Sequence, residues 1–307
     1  MYSVVVPIYN EAATLEELHR RLVTVMEQLQ QPFELIFVND GSTDTTHRVL
    51  EQLSPITVVT LRHNFGQTAA LAAGIKQAKG DSIITLDADL QNPPEEIPKL
   101  LRVLRDQSLD VVSGWRRQRH DSLSKHLLSR GANVLRRLII HDGIHDSGCT
   151  LKAYRRICFE QLDLLGEIHR FIPGMLRWQG FTVGEVEVRH EQRRFGNTKY
   201  NTWRIVKGLI DMIGVWFWRK YSSRPLHLFG GSGILLTIIG LVGFVSLGIA
   251  RIFFSYPLSQ SIWPLLASLA MVSGIQLFVS GLLAEILIKQ YYHSNRTAYS
   301  IKSVEQH

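Results

Sequence analysis

The sequence predicts an α/β domain with a mostly parallel sheet, followed by interfacial helices and two transmembrane helices. Short apolar runs alternate with amphipathic segments over the first part of the chain, as in parallel sheets covered by helices on both faces. Two long runs without charged residues lie near the C-terminus. Aromatic and basic residues are mixed just before the first of these runs, which is typical of a membrane interface.

Five strands and three helices are predicted in the N-terminal part. The strands are YSVVVPIY, FELIFVND, ITVVTL, DSIITLDAD and LDVVSGW. The helices are TLEELHRRLVTVMEQLQ, with apolar residues at helical spacing, QTAALAAGIKQAKG, which ends in glycine, and PPEEIPKLLRVLRD, which opens with prolines and acids. Farther along, HDSGCTLKAYRR is expected to enter a strand, IHRFIPGMLRWQG to form a helix and FTVGEVEVRH to form a strand.

The two uncharged runs predict membrane spans at about 228–250 and about 263–288, since a helix needs roughly 20 apolar residues to cross the hydrocarbon core. The alternative is a pair of buried helices in a large soluble core. Basic residues flank the pair of spans: Arg219, Lys220 and Arg224 before it, and Lys289, Arg296 and Lys302 after it. The connection carries only Arg251, so the positive-inside rule places both ends of the chain in the cytosol.

These patterns divide the chain into four predicted parts. An α/β domain covers 1–200, amphipathic interfacial helices cover 201–225, two spans with a short non-cytosolic hairpin cover 226–289, and a cytosolic tail covers 290–307. The start, MYSVVVPIYNE, has no basic region and only a short apolar run, so we expect no signal peptide. Cys149 and Cys158 are too few for a disulfide framework or a four-cysteine zinc site.

Polar motifs follow three of the predicted strands: PIYNE, NDGSTD and DADLQ. Ligands of parallel sheets bind at the carboxyl ends of the strands, so we expect the three motifs to meet in one crevice. Asp87 and Asp89 alternate with Ala88, so both carboxylates should point to one side of the strand. Such a pair suits Mg²⁺ or Mn²⁺ bound against a diphosphate. Glu95 and Glu96, after two prolines, should cap the next helix.

The formal net charge is +7, and the run from Arg116 to Arg137 holds seven basic residues against one acid. A run of this kind can meet nucleic acid, anionic lipid or phosphate groups. The nearby membrane spans favour lipid or phosphate, so no nucleic-acid partner is expected. A solvated helix face is the alternative interpretation.

Together, VPIYNE, NDGSTD, GQTAALAAG and DADLQNPPEE resemble family 2 glycosyltransferases of the GT-A fold. DSGCTLKAYRR, HRFIP and RRFGNTKY, followed by two spans, narrow the resemblance to the polyprenyl-phosphate glycosyltransferases. That group includes dolichol-phosphate mannosyltransferases, bacterial GtrB-type glucosyltransferases and the undecaprenyl-phosphate aminoarabinose transferase. The resemblance covers nearly the whole chain.

The resemblance implies inverting transfer of a sugar from a nucleotide sugar to a polyprenyl phosphate, with Mg²⁺ or Mn²⁺ as cofactor. It also implies a bacterial inner-membrane protein and a homotetramer built through membrane helices and C-terminal strands. IHRFIP favours glucose or an N-acetylhexosamine over aminoarabinose, and UDP is favoured over GDP on the same ground.

The resemblance also implies roles for individual residues. Nucleotide binding falls on Pro7, Tyr9, Glu11, Asp40 and Asp87, with Asp44 as a weaker candidate. Metal binding falls on Asp87, Asp89 and Gln91. Acceptor and diphosphate binding fall on Arg116, Lys125, Ser129, Arg170, Arg194 and Lys199. The catalytic candidates are Asp89 and Asp146, the second at a position that the resemblance assigns to a catalytic base.

Two of these roles have alternatives. A phosphate monoester has a second pKa of about 6 and needs little deprotonation at neutral pH, so Asp146 could instead orient the acceptor or sugar, or cap a loop. His169 and Arg170 either contact sugar or phosphate, or begin a helix held by a salt bridge to Glu167.

Two other classes of protein compete with this interpretation. A processive polysaccharide synthase would carry a Q-x-x-R-W motif, but Gly174 stands where glutamine belongs before Arg177 and Trp178, and two spans are too few for a channel. The intact Asp87, Asp89 and Gln91 argue against a non-catalytic membrane scaffold.

Overall fold

The computed structural model describes residues 1–117, 143–160, 162, 164, 168–192, 214, 216, 217, 220, 221, 224–292 and 301–306. The chain forms two compact units, one of Met1–Trp216 with Thr297–His307 and the other of Phe217–Arg296. Most of the predicted interfacial segment, 201–225, lies outside the described residues.

The first unit is built on an eight-stranded sheet of order β7-β5-β6-β4-β1-β2-β3-β8. Its strands are β1 Tyr2–Ile8, β2 Phe33–Asn39, β3 Thr57–Leu61, β4 Ser82–Thr85, β5 Val111–Trp115, β6 Lys152–Arg155, β7 Val183–Glu187 and β8 Ile301–Gln306. Four of the seven pairings are parallel, and the three that involve β6 or β8 are antiparallel. The predicted α/β class with a mostly parallel sheet is therefore confirmed.

The described helices of this unit are α1 Leu15–Gln28, α2 Thr46–Glu51, α3 Gln67–Gln77, α4 Ile97–Asp106 and α5 Ile172–Trp178. They cover both faces of the sheet. Val4 of β1 packs in one core with residues of α1 and α4, whereas Val5 packs in a second core with residues of α3. Neighbouring side chains of a strand point to opposite faces, so β1 contributes to both cores. The sequence did not predict α2.

Strand β8 was not predicted from the local sequence pattern, although the resemblance implied C-terminal strands. It pairs antiparallel with the edge of β3, with Val59 opposite Val304. The expected C-terminal tail thus includes a strand that covers the edge of β3, which would otherwise present unpaired backbone groups.

The second unit contains α6 Pro225–Phe254 and α7 Trp263–Tyr292. Both are long and apolar enough to cross a membrane, with mean hydropathies of 2.4 and 1.9 over their most apolar parts. Only 11% of the residues in each of these apolar parts are buried, whereas a core helix of a soluble protein is mostly buried. Glycines let the two helices approach closely: a Cβ on Gly233 would lie 2.6 Å from the carbonyl oxygen of Gly274.

Candidate active site

The carboxyl edge of the sheet brings the predicted motifs together. Strands β2 and β4 both run parallel to β1, and β4 and β5 both run antiparallel to β6, so β1, β2, β4 and β5 end at the same edge. Because β6 runs the other way, it begins at this edge with Lys152, opposite Thr85 of β4 and Ser113 of β5.

Asp87 and Asp89 lie in the turn after β4 rather than in the strand, which corrects the predicted strand DSIITLDAD. Strand β4 ends at Thr85, opposite Lys152, the first residue of its neighbour β6. The predicted alternation of side-chain direction between Asp87, Ala88 and Asp89 is nevertheless present in the turn. Both carboxylate residues are partly exposed, and Ala88 between them is buried.

The carboxylate of Asp87 is held from one side by Gln67, whose Nε2 donates to Oδ1 at 2.6 Å. Although the residue is partly exposed, its carboxyl group is surrounded by protein atoms. This burial, and then the negative charge of Asp89, raise the pKa of Asp87 to about 6. Two carboxylates that repel each other in this way fit a divalent cation with a preference for oxygen ligands, so Asp87 and Asp89 are suited to hold Mg²⁺ or Mn²⁺.

Other protein ligands for such an ion are few. Within the described residues, no three His, Cys, Asp or Glu side chains are grouped closely enough to hold a metal. The main chain of Gln91 donates to Oδ1 of Asp89 at 3.1 Å and accepts from the N–H of Glu191 at 2.9 Å. Metal coordination by the Gln91 side chain stays a prediction, and substrate oxygens would complete the shell.

Arg116, just after β5, and the buried Asp146 form an ion pair. Nε of Arg116 donates to Oδ2 of Asp146 at 2.7 Å and Nη2 to Oδ1 at 3.1 Å, and the Asp146 side chain is only 2% exposed. Burial alone would lower the pKa of Arg116, but the hydrogen bonds and charge of Asp146 raise it overall. The N–H of Gly148 also donates to Oδ1, so Asp146 orders its own loop as well.

Lys152 is a site residue to which the sequence reasoning assigned no role. It is 3% exposed, and its Nζ donates to the carbonyl oxygen of Ser147 at 3.4 Å. Burial lowers the pKa of Lys152 to about 8, against the opposing charges of Cys149, Asp146 and Asp87. The available signal was a lysine between Leu151 and Ala153, directly after a polar loop.

The predicted nucleotide-binding residues lie at the ends of β1 and β2. Tyr9 is exposed, and the N–H of Glu11 donates to Oγ1 of Thr46. Asp40 is buried, and its two oxygens accept the N–H groups of Phe65 and Gly66 at 2.8 and 3.0 Å. Asp40 therefore anchors the loop before α3, and its contact with a base stays a prediction.

The weaker candidate, Asp44, accepts the N–H of Thr46 at the start of α2. This contact gives Asp44 a local structural role. Its contact with a nucleotide stays a prediction.

His169 and Arg170 belong to a 3-10 turn at the start of α5. His169 is buried, and its Nδ1 lies 3.1 Å from Oγ1 of Thr68, which also accepts the His169 N–H. Since that hydroxyl has its own hydrogen to donate, it can donate to Nδ1, leaving Nε2 protonated in the neutral ring. Arg170 is exposed. Glu167, Lys125, Ser129, Arg194 and Lys199 lie outside the described residues.

Glu95 and Glu96 lie in the 3-10 turn that leads into α4, as predicted, and Glu96 makes no side-chain capping hydrogen bond to α4. Both glutamates also form ion pairs. Glu95 accepts two hydrogen bonds from Arg21, at 2.9 and 2.6 Å, and Glu96 accepts one from Arg189 at 2.6 Å. The arginines come from α1 and from the segment after β7, which no local pattern brings near α4.

The sheet order and the carboxylate pair at its carboxyl edge define the class: this is the GT-A fold. A solved structure of glucosyl-3-phosphoglycerate synthase from Mycobacterium tuberculosis, in complex with phosphoglyceric acid, is similar with a TM-score of 0.55 at 19% identity, over 71% of this chain and 79% of that chain. A mannosyl-3-phosphoglycerate synthase from Rubrobacter xylanophilus gives 0.58 at 17%, over 71% and 74%. Residues 3–163 match the model of glycosyl transferase family 2, and the chain belongs to that family.

Two curated relatives are similar over nearly their full length. The dodecaprenyl-phosphate galacturonate synthase of Rhizobium johnstonii is 35% identical, over 95% of this chain and 89% of its own. The undecaprenyl-phosphate 4-deoxy-4-formamido-L-arabinose transferase of Pseudomonas savastanoi pv. phaseolicola is 37% identical, over 94% and 86%. The predicted resemblance to polyprenyl-phosphate glycosyltransferases is thus confirmed.

Proposed function

We propose that this chain transfers a sugar from a nucleotide sugar to a polyprenyl phosphate, with inversion at the anomeric carbon. The observation that carries the proposal is the carboxyl edge of the sheet, where Asp87 and Asp89 lie near two cations, the partly buried Arg116 and the buried Lys152. A metal–diphosphate donor needs carboxylates, and a phosphate acceptor needs cations. The names of the curated relatives, which are polyprenyl-phosphate sugar transferases, support the same reaction.

The bond changes are those of a single displacement. An oxygen of the acceptor phosphate forms a bond to the anomeric carbon, and the bond from that carbon to the β-phosphate oxygen breaks. The nucleoside diphosphate leaves with the electron pair. A divalent cation held by Asp87 and Asp89 would act as a Lewis acid that stabilises the leaving diphosphate. Solved GT-A neighbours include a complex with Mn²⁺, uridine diphosphate and glucosyl-3-phosphoglycerate, which supports a divalent metal as cofactor.

For Asp146 we propose the orienting role among the three alternatives. Both of its oxygens accept hydrogen bonds from Arg116, so the carboxylate is already engaged and holds the guanidinium in one orientation. An acceptor phosphate that is already dianionic at neutral pH requires position and charge compensation more than a base. The remaining N–H groups of the Arg116 guanidinium can then donate to the phosphate. The planar guanidinium is well suited to bind phosphate oxygens.

The donor is defined further by which sugar and which nucleotide it carries. We propose a UDP donor and retain a hexose or N-acetylhexosamine as the predicted sugar. The two relatives named above act with galacturonate and formamido-arabinose, so these sugars belong in any test. Pocket shape and a few hydrogen bonds set such preferences.

A donor screen tests the reaction. The purified full-length chain would be incubated with undecaprenyl phosphate, Mn²⁺ or Mg²⁺, and each nucleotide sugar in turn, and the lipid product identified by mass spectrometry. We expect one lipid-linked monosaccharide and metal-dependent release of nucleotide. Products that grow by repeated addition would favour a polysaccharide synthase. No release with any donor would favour a scaffold.

For the membrane arrangement, we propose that both termini face the cytosol and that the chain forms a homotetramer in a bacterial inner membrane. The basic residues outside the hairpin support the orientation. A cysteine introduced between α6 and α7 should react with a membrane-impermeant reagent from the periplasmic side, whereas one at the C-terminus should not. The mass of the detergent-solubilised protein, measured by light scattering, tests the tetramer.

A further inference from the structure

Lys152 has more hydrogen-bonding capacity than the protein uses. An ammonium group carries three donors. Among the described residues, the one acceptor of Lys152 is the carbonyl oxygen of Ser147, at a long 3.4 Å. The residue is 3% exposed, and lysines are rarely buried to this degree without a partner. An unsatisfied buried donor costs free energy, so the arrangement indicates a ligand atom that completes it.

The position of Lys152 indicates which part of a ligand would lie beside it. The side chain lines a pocket at the carboxyl edge of the sheet together with Pro7, Gln67, Asp87 and His169. Pro7 belongs to the predicted nucleotide site and Asp87 to the predicted metal site. The pocket therefore adjoins the space that the diphosphate and the sugar of a donor would occupy.

The two nearest carboxylates are already engaged. Asp146 accepts three hydrogen bonds from Arg116, one of them from its main-chain N–H, and Asp87 accepts one from Gln67. Both contribute favourable charge at Lys152, but neither is hydrogen-bonded to it in the structure. These carboxylates can therefore balance the charge of Lys152, but they accept none of its hydrogen bonds.

We propose that Lys152 is an anion subsite for the donor, where its ammonium binds an anionic oxygen of the nucleotide sugar. This inference rests on the proposed function. The shared chemistry, a negatively charged oxygen, has two sources: the β-phosphate of the diphosphate and a carboxylate on the transferred sugar. Lys152 is at the same time placed to compensate the charge of the leaving diphosphate if the first source is correct.

Binding measurements separate the two sources. Calorimetry on the full-length protein with Mn²⁺ would compare UDP, UDP-glucose and UDP-glucuronate, for wild type and for Lys152→Met. Methionine has a similar volume and no charge, so the pocket stays filled. Lys76→Met, on an exposed position of α3, is the matched control. Thermal unfolding of each variant reports on folding, and Lys152→Gln replaces the methionine variant if that one fails to fold.

We expect Lys152→Met to weaken binding by about 10- to 100-fold, the usual size of a charge-assisted hydrogen bond. Equal weakening for all three nucleotides assigns the subsite to the β-phosphate. Weakening for UDP-glucuronate alone assigns it to a sugar carboxylate.

Unchanged affinity for all three nucleotides, with the wild type binding normally, would overturn the subsite and leave the proposed function intact. A wild type that binds none of them would overturn the proposed UDP donor and the subsite together. The control variant should match the wild type throughout.

Discussion

Arg116 and Asp146 form a two-point ion pair, with Nε 2.7 Å from Oδ2 and Nη2 3.1 Å from Oδ1. Asp146→Asn removes the charge but nearly preserves the shape. Because Arg116 loses its alignment, we expect the KM for the acceptor to rise by roughly 10-fold or more, with a smaller fall in kcat. Breaking a buried pair should also cost about 3–5 kcal/mol of stability. Acceptor titrations and thermal unfolding measure the two effects.

The pH profile of the Asp146→Asn variant separates the orienting role from the base role. If Asp146 only orients its partners, the fall of kcat towards acidic pH should be the same in the variant as in the wild type. If that fall disappeared together with most of the turnover, Asp146 would be the base after all.

Asp89→Asn should abolish transfer, whereas Glu95→Gln should leave it largely intact. Asp89 is one of the two carboxylates suited to the metal, and its loss removes a charged ligand. Glu95 pairs with Arg21 on a partly exposed surface, so the change should cost at most about 1 kcal/mol of stability. Turnover with Mn²⁺, together with Mn²⁺ binding followed by electron paramagnetic resonance, checks both variants. Inactivity of the Glu95 variant with normal Mn²⁺ binding would contradict a purely structural role.

Gly233→Ala should destabilise the helix pair, whereas Gly231→Ala should not. A Cβ on Gly233 would meet the carbonyl oxygen of Gly274 at 2.6 Å, and one on Gly231 has no atom within 4 Å. Forcing backbones apart in this way costs on the order of 1–3 kcal/mol. Thermal unfolding in detergent compares the variants. Equal melting temperatures would mean that the helices do not pack through Gly233 in the folded protein.

The thiols of Cys149 and Cys158 should resist alkylation in the native protein. Burial raises the pKa of Cys149 to about 11 and that of Cys158 to about 12, and only the thiolate reacts. The raised pKa values stabilise the fold relative to the unfolded chain below about pH 9, and this contribution is lost as the pH rises from 9 towards 11. Mass spectrometry after iodoacetamide treatment, with and without denaturant, tests the first expectation, and unfolding between pH 8 and 11 tests the second. Rapid labelling of the native protein at pH 8 would contradict the expected resistance to alkylation.

Local patterns predicted much of the fold because each depends on neighbours in sequence. The apolar spacing from Leu15 onward is sufficient for an amphipathic helix, and α1 follows it. Helix α2 escaped prediction because its six residues make fewer than two helical turns, too few for the apolar spacing to repeat. The predicted strand DSIITLDAD extended past Thr85, because the end of a strand depends on its neighbours in the sheet, and one of these, β6, begins almost seventy residues later.

The sequence by itself determined the α/β class, the two apolar spans and the DAD carboxylates, because periodicity, length and composition are local properties. The tertiary structure alone decided which charges meet. Asp146 forms an ion pair with Arg116, thirty positions away, and Glu95 forms one with Arg21. The side chain of Gln67 donates a hydrogen bond to Asp87. The antiparallel direction of β6 placed Lys152 at the edge where the parallel strands end. Long-range partners of this kind depend on strand order and direction, which no stretch of sequence carries alone.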